Sequence, residues 1–406
     1  MKGTILDHII RAHASVDRVI PDDVIPISID TIIIPDNSAK PVFEFLEKEC
    51  LHPPHKQIYL ALTHFHYQFE ARYGINQRQI IDLAKKYQFN ILDNYQGLWN
   101  TLLYEQGVIS AGSTVLARDS TVNYFAPLNN LNISSGIHDM IYAMMTGKYD
   151  LSVPDIIQVE LTGMLSAYVT GKDIALFLKK ELSSLVIHRP YMLEFSGSIL
   201  DEMTDQDLFS LSLHHYTMNR SAFMFPPLKQ FFGKQSGVNP SVDAEYSRIF
   251  PFDLSNLTPL VDVDGRIEEV IDVAGKIIDS VYIGGHIGGS LDDFRTMAHL
   301  LEGKRVAVPT YIIPSSAKTL LEATRQGYLT SILASGCILK TPATGICSAI
   351  NDIIPLAGET ILSTGYNDLS IQIKQMIPAF YNASIYTCLA SAIRGYLAPI
   401  DEVIGS

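Results

Sequence analysis

Two hydrophobic rhythms alternate along this chain. The stretch TILDHIIRAHA, residues 4–14, sets apolar side chains at helical spacing behind Thr4, with Asp7 three residues on, and predicts a capped helix. QIYLAL (57–62) is a short apolar run after turn chemistry and predicts a buried strand. NQRQIIDLAKKY then predicts an amphipathic helix, and FNIL the next strand. GIHDMIYAMMTGK (136–148) predicts a helix that stops at Gly147. DIIQVELTG (155–163) alternates as a strand does, and TGKDIALFLKKEL (170–182) follows as a helix capped by Thr170. Further on, RVAVPTYIIPSS (305–316), AKTLLEATRQGY and TSILASGCIL repeat the order strand, helix, strand. Strands that alternate with helices predict parallel sheets covered on both faces.

Composition narrows this picture. The chain has 406 residues, is 47% hydrophobic and 18% charged, and has the length for two or three domains. Mean hydropathy is high at +0.15. Yet no apolar run reaches the roughly 18–20 residues of a membrane helix, and DVIPISIDTIIIP is broken by Asp and Pro. Buried sheet accounts for the hydropathy, and no membrane association is expected. The opening MKGTILDHIIRAH has charges through its apolar stretch, so no signal peptide is read there. Four cysteines (Cys50, Cys337, Cys347 and Cys388) make no disulfide framework and suit a cytoplasmic location. The net charge of −13 argues against nucleic acid as a partner. VPD (153–155) and LSNLTPLVDVDG (254–265) are candidate domain boundaries.

The wording of several stretches, in order, resembles one family. These are MIYAMMTGKYDLSVPDIIQVELTGMLSAYVTGKDIALFLKKEL, EFSGSILDEMT, FPFDLSNLTPLV, YIGGHIGGSLDDFR, YIIPSSAKTLLEA, LSTGYND and CLASAIRG. Together they resemble the large subunit of isopropylmalate isomerase and the first three domains of aconitase and homoaconitase, across essentially the whole chain. The resemblance implies an α/β fold of three α/β/α domains around a central cleft, at 1–152, 153–260 and 261–406. The last of these holds the family's cluster-ligand loops. The swivelling fourth domain has no counterpart in this chain; in the isomerases it is a separate small subunit, a possible partner here.

The family dehydrates and rehydrates hydroxy-di- and tricarboxylates. Its four-iron–four-sulfur cluster, held by three cysteines, binds the substrate hydroxyl as a Lewis acid. By the resemblance, those cysteines fall on His286, Thr344 and Cys347, so no cluster is expected. The family's Asp-His pair falls on Thr63 and His64, and a loop histidine becomes Asn100. Its Gly-Asp-Ser-His-Thr loop becomes RDSTV, which keeps Asp119 and Ser120, sets Thr121 in the histidine's place and brings in Arg118. The carboxylate-binding arginines fall on Ser290, Asn367 and Gln372, and an amide cannot replace a bidentate guanidinium at equal strength.

Two readings follow. In the first, the chain is a cluster-free lyase or isomerase that acts on a small carboxylate-like metabolite, with specialised biosynthesis as the expected setting. His64, Asp119, Ser120 and His286 are then its catalytic candidates, and Asn100, Arg118, Thr121 and Cys347 its substrate contacts. No cofactor is expected, although His64, His66, His286 and Cys347 could together form a mononuclear metal site. In the second reading the chain is a non-catalytic descendant that binds a ligand or a partner. His286, set among four glycines, has a bland alternative as a polar plug. Asp119 has one as a loop-closing cap.

Overall fold

The computed structural model describes residues 3–62, 71–92, 96–182, 190–213, 222–232, 237–345, 355–365 and 371–404. The chain divides into two compact units. One gathers Met1–Leu92, Leu103–Met164 and Ser184–Ser255, and the other Asp93–Leu102, Leu165–Ser183 and Asn256–Ser406. No helix among the described residues is long and apolar enough to cross a membrane.

The first unit holds a five-stranded parallel sheet in the order Asn90–Leu92, Ile58–Ala61, Thr31–Pro35, Thr114–Ala117, Leu131–Ser134. It also holds a four-stranded parallel sheet, ordered Ala222–Met224, Tyr191–Ser196, Asp155–Thr162, Arg248–Asp253. Val24–Ser28 and Lys148–Ser152 pair antiparallel as a separate ribbon. Ile156, Met192 and Met224 of the four-stranded sheet join the apolar cluster that contains Ile32 and Leu60 of the five-stranded one. That shared core makes one unit of two sheets.

The second unit is built on a seven-stranded sheet, ordered Arg266–Glu269, Leu260–Val263, Ala379–Ala383, Thr360–Ser363, Ser280–Gly284, Thr310–Ile313, Ile338–Leu339. Its last five strands are parallel to one another, and Leu260–Val263 runs antiparallel to both its neighbours. Val281 and Ile283 pack into one apolar cluster and Tyr282 into another. The period of two therefore buries both faces, as parallel strands require.

Most local signals hold. Thr4 and Asp7 form a reciprocal cap at the start of helix Ile5–His13. Gly147 ends helix Ile137–Thr146 in the left-handed region, at φ 70°. Thr170 and Asp173 bond at the start of helix Gly171–Leu182. The segment TSILASGCIL differs from its strand reading. Residues Tyr328–Ala334 are helical, and only Ile338–Leu339 enters the sheet. A short apolar run has no period of its own, and the burial of Ile332 against the sheet's cluster selects the helix.

One buried carboxylate docks the first helix. Glu194 on strand Tyr191–Ser196 is 2% exposed. It accepts from the Ile5 backbone N–H at 3.0 Å and from the Tyr246 hydroxyl at 2.6 Å. Burial outweighs both bonds, with nearby Asp7 adding to it, and pushes the carboxyl from 4.5 up to about 7. The folded chain therefore binds a proton that the unfolded chain has lost between those values, so stability falls as pH rises through that window. A glutamine can donate to Tyr246 and accept from Ile5. Glu194→Gln is expected to flatten that pH dependence and to be the more stable form at pH 8, by up to about 3 kcal/mol. Parallel melting curves of both proteins at pH 5 and pH 8 would check this.

Candidate functional site

Strand Ser280–Gly284 lies inside the seven-stranded sheet. From it the chain steps to Thr310–Ile313 and Ile338–Leu339 on one side, then returns to Thr360–Ser363 on the other. The strand order reverses between Ser280–Gly284 and Thr360–Ser363. A crevice at the carboxyl ends of strands beside such a reversal is where α/β sheets bind ligands. The glycine-flanked histidine of GGHIGG stands there.

The glycines are needed because the loop turns back onto its neighbours. Gly284 and Gly289 have φ of 100° and 71°. A Cβ on either would lie 1.9–2.0 Å from the Ile313 carbonyl oxygen. A Cβ on Gly285 would meet the Thr344 carbonyl oxygen at 2.9 Å. The Gly284 N–H donates to Thr364 Oγ1 at 2.9 Å. Ser290 then starts helix Leu291–Leu300 with a reciprocal cap to Asp293. His286 is half-buried on this loop.

Two other segments are fastened to the same corner. Ser315 N–H donates to the Gly289 carbonyl at 2.8 Å, and Ala317 N–H to the Gln96 carbonyl at 2.7 Å. Gly97 and Ser316 form an isolated bridge. Asn100 follows three residues later in helix Trp99–Glu105 and is 1% exposed. Neither its amide nitrogen nor its oxygen finds a hydrogen-bond partner among the described residues. On the other side, the Lys172 ammonium, 3% exposed, donates to the Thr364 and Gly365 carbonyls at 2.9 and 3.1 Å. Its neighbour Asp173 accepts from the Leu260 N–H at 2.9 Å and from Thr170. Burial pushes the Asp173 carboxyl up to about 6. The sequence reading missed Lys172 as a buried group, because a lysine in the first turn of an amphipathic helix reads as solvated.

The residues named from sequence divide between the units. His286 and Asn100 belong to the second unit, where the loop of His286 meets that of Thr344. Arg118, Asp119, Ser120 and Thr121 belong to the first. There Asp119 caps the 3-10 segment Ser120–Leu128, accepting from the Thr121 N–H at 2.8 Å and hydroxyl at 2.7 Å. That is the capping geometry foreseen as the bland alternative, and it engages the Thr121 hydroxyl as well. Arg118 and Ser120 line a cavity of about 570 Å³. His64, His66, Cys347, Thr63 and Asn367 lie outside the described residues.

The donor set does not fit a cluster that needs three thiolates. Two of its three positions offer an imidazole and a buried hydroxyl, His286 and Thr344. Cys337 precedes strand Ile338–Leu339, at the opposite end of the parallel sheet from the glycine loop. Cys388 is fully buried in helix Ile385–Arg394, where its thiol donates to the Ala383 carbonyl and burial pushes its titration far up. Cys50 belongs to the other unit. Among the described residues, no three His, Cys, Asp or Glu side chains are grouped to hold a metal ion.

Comparison with known proteins agrees with the architecture. The chain is 26% identical to the homoaconitase large subunit of Thermus thermophilus, over 99% of this chain and 98% of that one. It is 26% identical to the 3-isopropylmalate dehydratase large subunit of Aquifex aeolicus, over 100% and 98%. With the 2,3-dimethylmalate dehydratase large subunit of Eubacterium barkeri the identity is 28%, over 99% and 100%. The fold is similar to that of Thermococcus kodakaraensis aconitase X in its holo-form, with a TM-score of 0.52 and 15% identity, over 89% of this chain and 87% of that one. Residues 8–212, just over half of the chain, match the model of the aconitase family (aconitate hydratase). The chain belongs to the aconitase family.

Proposed function

We propose that this chain is a cluster-free lyase or isomerase that works on a small carboxylate-bearing metabolite by acid–base chemistry. The observation that carries the reading is the Asn100 amide, buried with no hydrogen-bond partner among the described residues, three residues after the Gly97–Ser316 bridge. Such a group costs about 1–3 kcal/mol in the free protein. It is retained where a ligand satisfies it. A Lewis acid makes hydroxide a feasible leaving group, and without one that step loses several kcal/mol. The substrate class that remains is already activated: a double bond conjugated to a carboxylate, or a carbon acid beside one. His286 then moves the proton at the carbon next to the carboxylate. The relatives carry the name large subunit, so a small subunit with the swivelling domain is the partner that would complete the site.

The cap made by Asp119 favours a second reading, a descendant that binds without chemistry, because the side chain kept from the family's acid–base loop is held in a structural role. One experiment separates the two. Anaerobically purified protein is assayed for iron and sulfide, then incubated in D2O with hydroxy and unsaturated carboxylates. The expected result is no stoichiometric iron or sulfide, with deuterium entering beside the carboxylate in the wild type and not in His286→Gln. A brown protein with iron and acid-labile sulfide would sink the proposal. Binding without exchange would favour the second reading.

A further inference from the structure

Arg295, His299 and Glu302 fall four and then three residues apart, on one face of helix Leu291–Leu300 and the turn that follows it. That face borders a cavity of about 680 Å³, within the size range of small-molecule sites. Tyr168, Tyr328 and Tyr386 also line it. They come from the turn before helix Gly171–Leu182 and from the first positions of helices Tyr328–Ala334 and Ile385–Arg394. All six residues belong to the second unit.

The three rings suit a cation. Each is half-buried and packed against the apolar cluster of this unit, and each still borders the cavity. Tyr168 and Tyr386 meet edge to face, with 5.1 Å between ring centroids and 75° between planes. Their faces therefore form two walls nearly at right angles. No Lys or Arg among the described residues stands over the Tyr168 or Tyr328 ring. A tyrosine face attracts a positive charge, most strongly where water is kept out. Glu302 adds a carboxylate with no ion pair or hydrogen bond among the described residues. Arg295 is the one Lys or Arg of the lining, and Asp292 neutralises it at 2.8 Å. The chain's net charge of −13 draws cations toward its surface.

Tyr168 is also held against its backbone preference. It is the third residue of a turn that the Val169 N–H closes on the Ser166 carbonyl at 3.2 Å, and its φ is 69°. Glycine or asparagine suits that position. A tyrosine there keeps its ring at the cavity at the expense of backbone strain.

We propose that this cavity binds an alkylated ammonium group of choline type, with the methylated nitrogen against the rings of Tyr168, Tyr328 and Tyr386 and with Glu302 as its counter-charge. Methyl groups match ring faces and the neighbouring Leu300 and Ile404, where a bare ammonium would lose its water without return. The site uses none of the residues assigned to proton transfer.

Isothermal titration of the whole chain with choline tests this. Neohexyl alcohol has the shape of choline without its charge, and ammonium chloride has the charge without the methyl groups. Choline is expected to bind about tenfold more tightly than either. Tyr168→Gly and Tyr328→Leu should each weaken choline about tenfold, and Tyr168→Phe should not, because the ring face does the binding. Glycine suits the φ of 69°, so relief of strain offsets the lost contact with Tyr386 and the melting temperature should hold. Glu302 is exposed, and Glu302→Gln should weaken choline with no effect on melting. Sedimentation with phosphatidylcholine vesicles separates the sources of the group. Choline binding without sedimentation supports a free metabolite, and sedimentation as well supports a lipid headgroup. The proposal is overturned if choline gives no heat at millimolar concentration, if neohexyl alcohol binds equally well, or if Tyr168→Gly and Tyr328→Leu both leave the affinity unchanged.

Discussion

Asn100→Leu is expected to give a protein that melts higher and has lost its ligand. Leucine has the branch point and the heavy-atom count of asparagine and carries no polar atom. At a site 1% exposed, with neither amide atom bonded among the described residues, it removes an unmet desolvation cost of about 1–3 kcal/mol. The melting temperature should rise by about 2–5 °C. Asn100→Ala leaves a cavity and is expected to fall below the wild type. The same leucine would put a methyl group where a substrate's polar atom belongs, so deuterium exchange should vanish with it. Calorimetry beside the exchange assay decides the matter. A leucine variant that is less stable and fully active would show that the amide serves the fold, and Asn100 would leave the site.

Gly284→Ala is expected to be the most damaging single methyl in the second unit. The residue sits at φ 100°, and the added carbon would lie 1.9 Å from the Ile313 carbonyl oxygen, which belongs to the adjacent strand. Backbone strain and overlap act together, and a loss of about 4 kcal/mol or more follows. Gly303→Ala separates the two causes. Its φ is 70°, and nothing lies within 4 Å of the added carbon, so it should lose only about 1–2 kcal/mol. Limited proteolysis would report on the units, with cleavage in Asn256–Ser406 expected for Gly284→Ala alone. Equal stability of the two alanine variants would mean that the loop does not press on its neighbour.

Much of this architecture was legible because its signals are local. The Thr4 cap, the Gly147 stop and the alternation in 155–162 involve residues within a turn or a strand of each other. The glycine turn around His286 was legible for the same reason: only a backbone held against its surroundings needs so many glycines. The site's other parts were not, because they are made by distant pairings. Lys172 is aimed at Thr364 by the packing of one helix against a strand end far along the chain. That the Asn100 amide finds no partner among the described residues is the absence of a contact, which no pattern in the sequence encodes. The helix Tyr328–Ala334 was misread where the apolar run was too short to display a period.

Strand Leu260–Val263 has a consequence for biogenesis. It is laid down early in its sheet, yet one of its two neighbours is Ala379–Ala383, nearly the last strand to leave the ribosome. The stretches Asp93–Leu102 and Leu165–Ser183 must also wait for partners translated much later. During synthesis the apolar row of Val261 and Val263 therefore stays uncovered for most of the time needed to make this unit. Slow elongation or a premature stop anywhere between them would leave a sticky half-sheet for chaperones to shield.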